Sequence, residues 1–293
     1  MLKPTASVVA AIACVSSASA QVGFPDFDAA RATFSYSDDM DFDGGPGGLA
    51  VSKFEIRSLL SKPLVPIEGL TILPLVEYRA TGLDFDGTGG AYPIDDEDLH
   101  SLALSSYFFR TCATSPWIYG GWARAEFASD FQEIGSDDFT FDLGGGVGYR
   151  FSDRFTLGVG GVVLNLNGDP TVYPGIVFDW LISDQIRVGF YGPRFFAAYT
   201  PDPNWEFSIR ADSGGDVWNI TDDNGASRSI DLTSYRVGIF ADRRLTAQLW
   251  LTAGAGATVG NEIELTRPDG DQLFKQELES GLFAQIGLRL RTW

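Results

Sequence analysis

Long stretches in which apolar and polar residues alternate with a period of two dominate this sequence. From Phe139 to Phe151 the odd positions are apolar apart from Gly145, and the even positions carry glycine, threonine, aspartate or arginine. The same alternation runs through residues 117–127, 245–259 and 282–290. A β-strand places such sets on opposite sides, so each stretch predicts a long strand with one apolar and one polar face.

Connections of two lengths alternate between the predicted strands. Short polar turns fall at residues 111–116, 152–154, 183–185, 201–204 and 241–244, and long loops rich in Asp and Gly fall near residues 38–48, 84–98, 130–138, 212–228 and 261–272. Strands with one apolar face, short turns at one end and long loops at the other are typical of a transmembrane β-barrel. We therefore predict an all-β fold: a closed antiparallel transmembrane β-barrel with short periplasmic turns and long acidic extracellular loops.

The length of the chain sets the expected strand count. A hairpin of two ~10-residue strands with one turn and one loop takes about 40 residues, so the chain after residue 20 has room for about 12 to 14 strands. Residues 186–200 fit either one long strand broken at Gly192-Pro193 or two short strands. Only two strands keep turns and loops alternating and give an even count.

The first twenty residues have the layout of a secretory signal peptide. Lys3 precedes an apolar stretch at residues 6–15, and a run of small residues ends at Ala20. We expect residues 1–20 to be this signal and residues 21–293 to form one barrel domain. The alternative is a lipoprotein signal in which Cys14 is acylated. Beyond the signal no stretch approaches the ~18 uninterrupted apolar residues of a transmembrane helix, which excludes a helical membrane protein.

Charge and composition exclude several classes of function. The chain has 21 Lys and Arg against 39 Asp and Glu, a formal net charge of −18, so we expect no nucleic-acid partner. One histidine and two cysteines leave few ways to build a zinc site or a nucleophile–histidine pair. His100 is followed by Ser101, but neighbours on a strand point to opposite faces and cannot pair. We therefore expect no enzymatic activity and no cofactor.

Aromatic residues cluster where predicted strands meet short turns. The residues at these positions are Trp117, Phe151, Phe155, Trp180, Trp205 and Phe240, which we expect in a girdle at the membrane interface. Trp293 resembles the C-terminal aromatic residue that barrel-assembly machinery recognises. The alternation of Leu288 and Leu290, however, places Trp293 one residue out of phase.

From residue 21 onwards the chain resembles bacterial outer-membrane β-barrel proteins. The segment 189–194 and the Pro-Asp-Pro-Asn turn that follows it resemble an uncharacterised family of such barrels. The resemblance implies an outer-membrane location, contact with outer-membrane lipid and assembly by the barrel-assembly machinery. It implies no activity and no catalytic residue.

The predicted polar faces carry a nearly balanced set of charges. The expected pore-lining residues are Glu55, Arg57, Glu77, Arg79, Arg124, Glu126, Asp142, Arg150, Arg210, Arg236 and Arg289, with Asp179 and Glu206 on the same faces. A balanced set of this kind fits a narrow wet pore, and it fits equally well ion pairs that partly fill the lumen.

The acidic excess lies instead in the predicted long loops, among which we count Asp212 and Asp216. Such loops would give the outer mouth a negative field that attracts cations. In the first loop Asp39, Asp41 and Asp43 follow the spacing of a calcium loop, although its twelfth position is Ala50 rather than glutamate. These three residues are the candidate metal ligands, and divalent cations are expected partners of the loops.

Together these patterns predict a porin-like passive channel for cations or small solutes. The alternative is a non-conducting barrel with a structural or surface-interaction role, in which all interior charges are paired. Every feature described above is compatible with both hypotheses.

Overall fold

The computed structural model describes residues 28–86, 96–112, 114–165, 170–221, 225–268 and 270–291. The predicted signal peptide, the alternative acylation site Cys14 and the final Trp293 lie outside these residues. No helix in this part of the chain is both long and apolar enough to cross a membrane.

The described chain forms seventeen strands and one 3₁₀ turn, Ser136–Asp138. The strands are β1 Ala30–Asp41, β2 Gly48–Leu59, β3 Leu64–Ile67, β4 Leu70–Asp86, β5 Glu97–Cys112, β6 Ser115–Ser129, β7 Phe139–Ser152, β8 Phe155–Leu164, β9 Thr171–Leu181, β10 Ile186–Tyr191, β11 Arg194–Asp202, β12 Trp205–Ser213, β13 Asp216–Thr221, β14 Ser227–Arg244, β15 Leu249–Thr266, β16 Gln272–Leu278 and β17 Leu282–Leu290.

Fourteen of these strands form a closed antiparallel barrel. The wall runs β1-β2-β4-β5-β6-β7-β8-β9-β10-β11-β12-β14-β15-β17, and β17 closes it by pairing with β1, Ala30 opposite Leu290. Residues 186–200 form two strands, β10 and β11, joined at Gly192 and Pro193. The predicted fold and strand count are therefore confirmed. The remaining strands β3, β13 and β16 extend the sheet beyond the wall, paired with β4, β14 and β15.

The two faces of the wall differ in the way the alternation predicts. Side chains such as Phe34, Ile56, Leu104, Ile239 and Ile286 point outward and are 43–69% exposed. Charged side chains at the alternate positions point into the lumen, where they pair with one another. An apolar belt around a polar interior is the arrangement of a barrel that crosses a membrane.

Some predicted connections differ from those in the structure. Residues 241–244 belong to β14, and the turn follows at residues 245–248. The predicted loop 212–228 contains β13, and the predicted loop 261–272 contains the end of β15 and the start of β16. The errors in these two loops have one cause: β14 and β15 are 18 residues long, so they continue past the expected barrel rim.

A continuous row of aromatic rings surrounds the short-turn end of β6 to β9. Trp117 contacts Tyr149 at 5.0 Å between ring centroids, Tyr149 contacts Phe151, Phe151 contacts Phe155, and Phe155 contacts Trp180. The predicted girdle position of Phe240 was wrong. This ring is buried and lies under the guanidinium group of Arg210, 4.6 Å from its carbon to the ring centroid.

Candidate functional site: the barrel interior

A hairpin crosses the lumen at the long-loop end. In the ring of fourteen strands β14 and β6 are seven positions apart and thus lie on opposite walls. Nevertheless Asn219 of β13, which pairs with β14, also bridges to Ser129 of β6. We call β13 together with the outer part of β14, Ser227–Leu232, the mouth hairpin. It bends from one wall across the mouth and docks on the other.

Two glycines allow the chain to enter the lumen. Gly214 and Gly215 connect the end of β12 to β13, and a Cβ atom on Gly215 would lie 2.1 Å from the carbonyl oxygen of Leu232. Only a residue without a side chain permits this approach of two backbones. The alternation of β13 then buries Trp218 and Ile220 while Val217 stays about half exposed.

The mouth hairpin closes one half of the lumen with an apolar core. Trp218 is 1% exposed and donates its indole N–H to Ser101 Oγ on β5 at 3.1 Å. The other buried members of this core are Met40, Phe42, Leu49, Val51, Leu83, Phe85, Leu99, Ala128, Ile220, Ile230, Leu232, Ile263, Leu265, Phe274 and Leu278. Each large apolar side chain buried here contributes about 1.5–3 kcal/mol relative to its exposed form.

Ion pairs anchor the hairpin below this core. Asp216 accepts a hydrogen bond from Lys53 Nζ of β2 at 2.5 Å and pairs with Arg79 of β4. Arg79 also pairs with Glu126 of β6, which Arg124 contacts at 2.8 Å. Burial alone would raise the pKa of Asp216, but the charges of Arg79 and Lys53 outweigh burial and hold this pKa below its usual range. Asp216 is therefore a charged anchor at neutral pH.

A second group of ion pairs lies on the wall formed by β12, β14 and β17. The carboxylate of Asp242 is fully buried and pairs with Arg210 and with Arg289, the latter at 3.4 Å. Arg289 also contacts Asp28 at 2.9 Å, and Arg291 contacts Glu206 at 3.2 Å. On β9 and β10, Asp179 accepts bonds from Arg187 and from the Tyr191 hydroxyl.

Glycines line the part of the wall that is formed by β7, β8 and β9. The inward positions of β7, β8 and β9 include Gly144, Gly146, Gly148, Gly158, Gly160 and Gly175. A Cβ atom on Gly175 would meet no atom within 4 Å. The lumen is therefore open at Gly175, whereas the Trp122 ring covers Gly144, where a Cβ atom would lie 2.2 Å from the indole nitrogen.

The inward residues predicted as pore-lining all lie on the inner face of the wall. Most of them meet in the two groups of ion pairs, and Arg236 pairs with Asp212 at 3.1 Å. Asp142 accepts a hydrogen bond from the backbone N–H of Asn165 instead. Among the described residues no carboxylate lies within 4 Å of Arg57 or of Arg150, and the Nε of each is buried without a hydrogen-bond partner.

Sequence reasoning missed several inward charges, among them Arg31, Lys53, Arg187, Arg194 and Arg291. Lys53 stands two positions before Glu55 in β2 and Arg31 is the second residue of β1, so continuing the alternation along both strands would have found both residues. Asp216 and Asp212 were predicted to contribute to the negative field of the loops. They lie inside the barrel, because the lumen offers Arg79, Lys53 and Arg236 as partners.

The candidate metal ligands occupy the end of β1. Asp41 is in this strand, Asp43 follows it, and the side chain of Asp39 is outside the described part. The described residues contain no group of three His, Cys, Asp or Glu side chains arranged to hold a metal ion. Met40 and Phe42 are buried in the mouth core, and Asp43 and Gly44 belong to the turn that follows β1.

His100 and Ser101 point in opposite directions, as expected for neighbours on a strand. The Nδ1 atom of His100 lies 2.9 Å from the Tyr78 hydroxyl, and its ring stacks on Phe131 at 4.9 Å. Ser101 faces the lumen and accepts the indole N–H of Trp218. The histidine thus packs among aromatic rings away from the serine.

Solved structures with a similar fold are outer-membrane proteins of low sequence identity. An outer membrane channel from Pseudomonas putida F1 is 11% identical, aligns over 93% of this chain and 98% of its own, and gives a TM-score of 0.48. A Pseudomonas aeruginosa FadL homologue is 9% identical, aligns over 90% of each chain and gives 0.46. The translocator domain of the autotransporter NalP from Neisseria meningitidis is 9% identical, aligns over 97% of each chain and gives 0.36.

No curated protein matches the chain in sequence. A family model described as a domain of unknown function, DUF6268, matches residues 77–291, which is most of the barrel from the middle of β4 to the end of β17. The chain therefore belongs to the DUF6268 family.

Proposed function

We propose that this barrel is a passive channel of the bacterial outer membrane for small solutes. The observation that carries the proposal is the division of the lumen into two halves. The mouth hairpin and its apolar core fill the half bounded by β2, β4, β5 and β6. The other half is lined by the glycines of β7, β8 and β9, among which Gly175 faces open space.

Small solutes pass along the glycine-lined wall. At Gly175 the absence of a side chain leaves open space in the bore, so a passage remains there. Gly146, Gly158 and Gly160 also serve the strands themselves, because a Cβ atom at these positions would lie 2.5–2.8 Å from a carbonyl oxygen of a neighbouring strand. The open space at Gly175 thus favours transport over a purely structural role.

Charge at the long-loop end supports a preference for cations at the entrance. Asp84, Asp86, Asp96 and Asp98 are at the ends of β4 and β5, and Asp130, Glu133 and Asp137 follow β6. A mouth with charge of one sign raises the local concentration of the opposite ion. We propose that this rim faces the exterior, since the longer loops of outer-membrane barrels are extracellular and the short turns periplasmic.

The width of the glycine-lined passage can be tested with Gly175→Phe. The Cβ atom of the added side chain enters open space, so the ring should at least halve single-channel conductance in a planar bilayer while the barrel still folds. The matched control is Val159→Phe, which places the same ring on the lipid-facing side of β8, where Val159 is 59% exposed. Its conductance should equal that of the unmodified protein.

The second candidate function is a non-conducting barrel, favoured by the apolar core across the mouth. If the unmodified protein, Gly175→Phe and Val159→Phe all fold but none of them conducts, the non-conducting barrel is supported and the channel is ruled out. Equal conductance of the unmodified protein and Gly175→Phe would also count against a passage along this wall. Folding is checked beforehand by the heat-dependent gel mobility of the barrel.

A further inference from the structure

The barrel wall is interrupted above the β10–β11 hairpin. Strand β9 pairs with β10 only from Val177 to Leu181. Residues 171–176 continue β9 and pair with β8, but in the described part of the chain no backbone group pairs with their other edge. On the far side of the hairpin, β12 likewise has no β11 partner beyond Ala211. Between residues 171–176 and the end of β12 the wall thus has a gap two strands wide, which we call the wall notch.

The wall notch lies within the apolar belt. Val172 pairs with Val163 of β8, which pairs with Leu143 of β7. Val172 is 66% exposed and Leu143 is 44% exposed, and β7 continues the belt as far as Phe139, which is 43% exposed. Strand β10 has six residues, whereas a strand needs about 9–11 to cross the hydrocarbon. The β10–β11 hairpin therefore ends inside the belt.

The open edge of β9 borders the lumen. Unpaired backbone N–H and C=O groups are costly in hydrocarbon, so an open sheet edge is tolerated at membrane depth only where it lines an aqueous space or is covered by protein. Pro174 lies in this edge segment and has no N–H group to leave unpaired. Beside it, a Cβ atom on the inward-facing Gly175 would meet no atom within 4 Å. The wall notch thus connects the open part of the lumen with the outside of the wall.

Aromatic and aliphatic side chains border the wall notch along β9 and at its lower end. On the inner side, Tyr173 is 53% exposed. Tyr191 precedes the hairpin turn, and its ring stacks on Phe196 at 6.1 Å. On the outer side, Val172 and Ile176 are 66% and 53% exposed. A molecule that moves from the lumen to the membrane through the wall notch therefore stays in contact with apolar groups.

We propose that small apolar solutes leave the lumen sideways through the wall notch and enter the lipid bilayer. The hydrophobic effect drives such a solute from an aqueous bore into lipid. Ions and polar solutes, which the hydrocarbon does not accept, continue along the barrel axis. The inference rests on the proposed channel and names a class of solute that the channel carries.

The test raises the wall at the notch. Inserting Val-Thr-Val-Thr after Tyr191 and Thr-Val-Thr-Val before Arg194 lengthens β10 from six to about ten residues, which is enough to cross the belt. An even number of added residues keeps every side chain on its original face. We call this variant the extended hairpin. The matched control inserts the same residues between Asp153 and Arg154, in the exposed β7–β8 turn.

The measurement is the uptake of N-phenyl-1-naphthylamine by bacteria that carry the barrel. This apolar dye fluoresces in lipid, and an intact outer membrane admits it slowly. The unmodified barrel should raise the rate of uptake, and the extended hairpin should return it to the rate of cells without the barrel. Single-channel conductance of the extended hairpin in a planar bilayer should stay unchanged, and the control insertion should change neither quantity. Tyr173→Glu, which places a charge at the border of the wall notch, should also slow uptake.

The outcomes separate this proposal from the proposed channel. Dye uptake that is lost in the extended hairpin while conductance remains supports the sideways exit. Uptake that survives both the extended hairpin and Tyr173→Glu overturns it. A barrel that conducts without speeding dye uptake also overturns it and leaves the channel standing. Dye uptake through the wall notch without any conductance contradicts the ion-conducting channel alone.

Two further results are decisive. If the extended hairpin breaks up an oligomer that the unmodified barrel forms on a native gel, the wall notch is an interface between copies of the chain and the proposal is wrong. If the extended hairpin fails to fold or also stops conduction, Tyr173→Glu decides: slower dye uptake supports the sideways exit, and unchanged uptake overturns it.

Discussion

At the scale of single residues, the interior separates arginines that hold the barrel together from arginines that do not. Arg79 joins β4 to the mouth hairpin through Asp216 and to β6 through Glu126. Arg57 makes no ion pair with any described carboxylate and lies beside Arg31 in register. Removing one partner of a buried pair strands the other charge, whereas removing an unpaired buried charge relieves a cost.

This contrast gives a prediction for two matched substitutions. Arg79→Met should lower the free energy of unfolding by about 3 kcal/mol, because Asp216 and Glu126 lose their shared partner. Arg57→Met should leave the free energy of unfolding unchanged or raise it. Denaturant titration of both variants in the same detergent measures the difference. An equal loss in both would mean that Arg57 has a stabilising partner after all.

At the scale of elements, the β10–β11 hairpin is the lowest part of the wall. Strand β10 has six residues, while β14 has eighteen. At ~3.3 Å per residue β10 is about 20 Å long, and a tilt of about 40° reduces its height to roughly 15 Å. A membrane-crossing strand needs about 9–11 residues. The tight turn at Gly192 limits the height of the wall at this point and places Arg194 at the tip of the β10–β11 hairpin.

The turn itself is testable because Gly192 has a φ of +65°. This left-handed conformation costs a residue with a side chain about 1–2 kcal/mol. Because the space around Gly192 is open, a side chain there meets no steric clash, and backbone strain is the only source of destabilisation. Gly192→Val should therefore lower the unfolding midpoint in denaturant. The matched control is Gly175→Val, with equally open surroundings and an ordinary φ. If the control loses as much stability, backbone strain is not the cause.

At the scale of the whole molecule, negative charge at the long-loop end is followed by positive charge deeper in the lumen. Acidic side chains surround the long-loop end, and the net charge of the chain is −18. Deeper in the lumen Arg57, Arg150 and Arg194, which have no carboxylate within 4 Å among the described residues, add positive charge. An ion that enters from the long-loop end therefore passes a negative zone and then a positive zone. Because of this asymmetry, the current should differ between the two signs of the applied voltage.

We expect single-channel current to be larger when the long-loop side is positive, because cations then enter through the acidic end and anions through the arginine zone. The asymmetry should be strong at about 0.01 M KCl and vanish near 1 M, where the Debye length falls from ~30 Å to ~3 Å. Current at equal and opposite voltages measures it. Arg154→Met should keep the asymmetry, and symmetric current at low salt would contradict the charge arrangement.

Much of this barrel could be predicted from local sequence. The faces of β7, β15 and β17 follow directly from their alternation, since a strand side chain has only two directions. The tight turn at Gly192-Pro193 and the even strand count follow from the same pattern. The charges on the inner face were found by parity alone, and those that were missed lie near strand ends or, like Lys53 in the middle of β2, where the alternation was not continued.

Only the tertiary structure decided how the lumen is divided. The six residues of β13 alternate like any short strand, and nothing local distinguishes a wall strand from one that enters the lumen. Its position depends on partners far away in sequence: Trp218 on Ser101, and Asp216 on Lys53 and Arg79. Whether an inward arginine is paired is likewise decided by strands that meet only when the ring closes. The sequence alone therefore determines the barrel, while long-range contacts decide which half is filled and which arginines are left without partners.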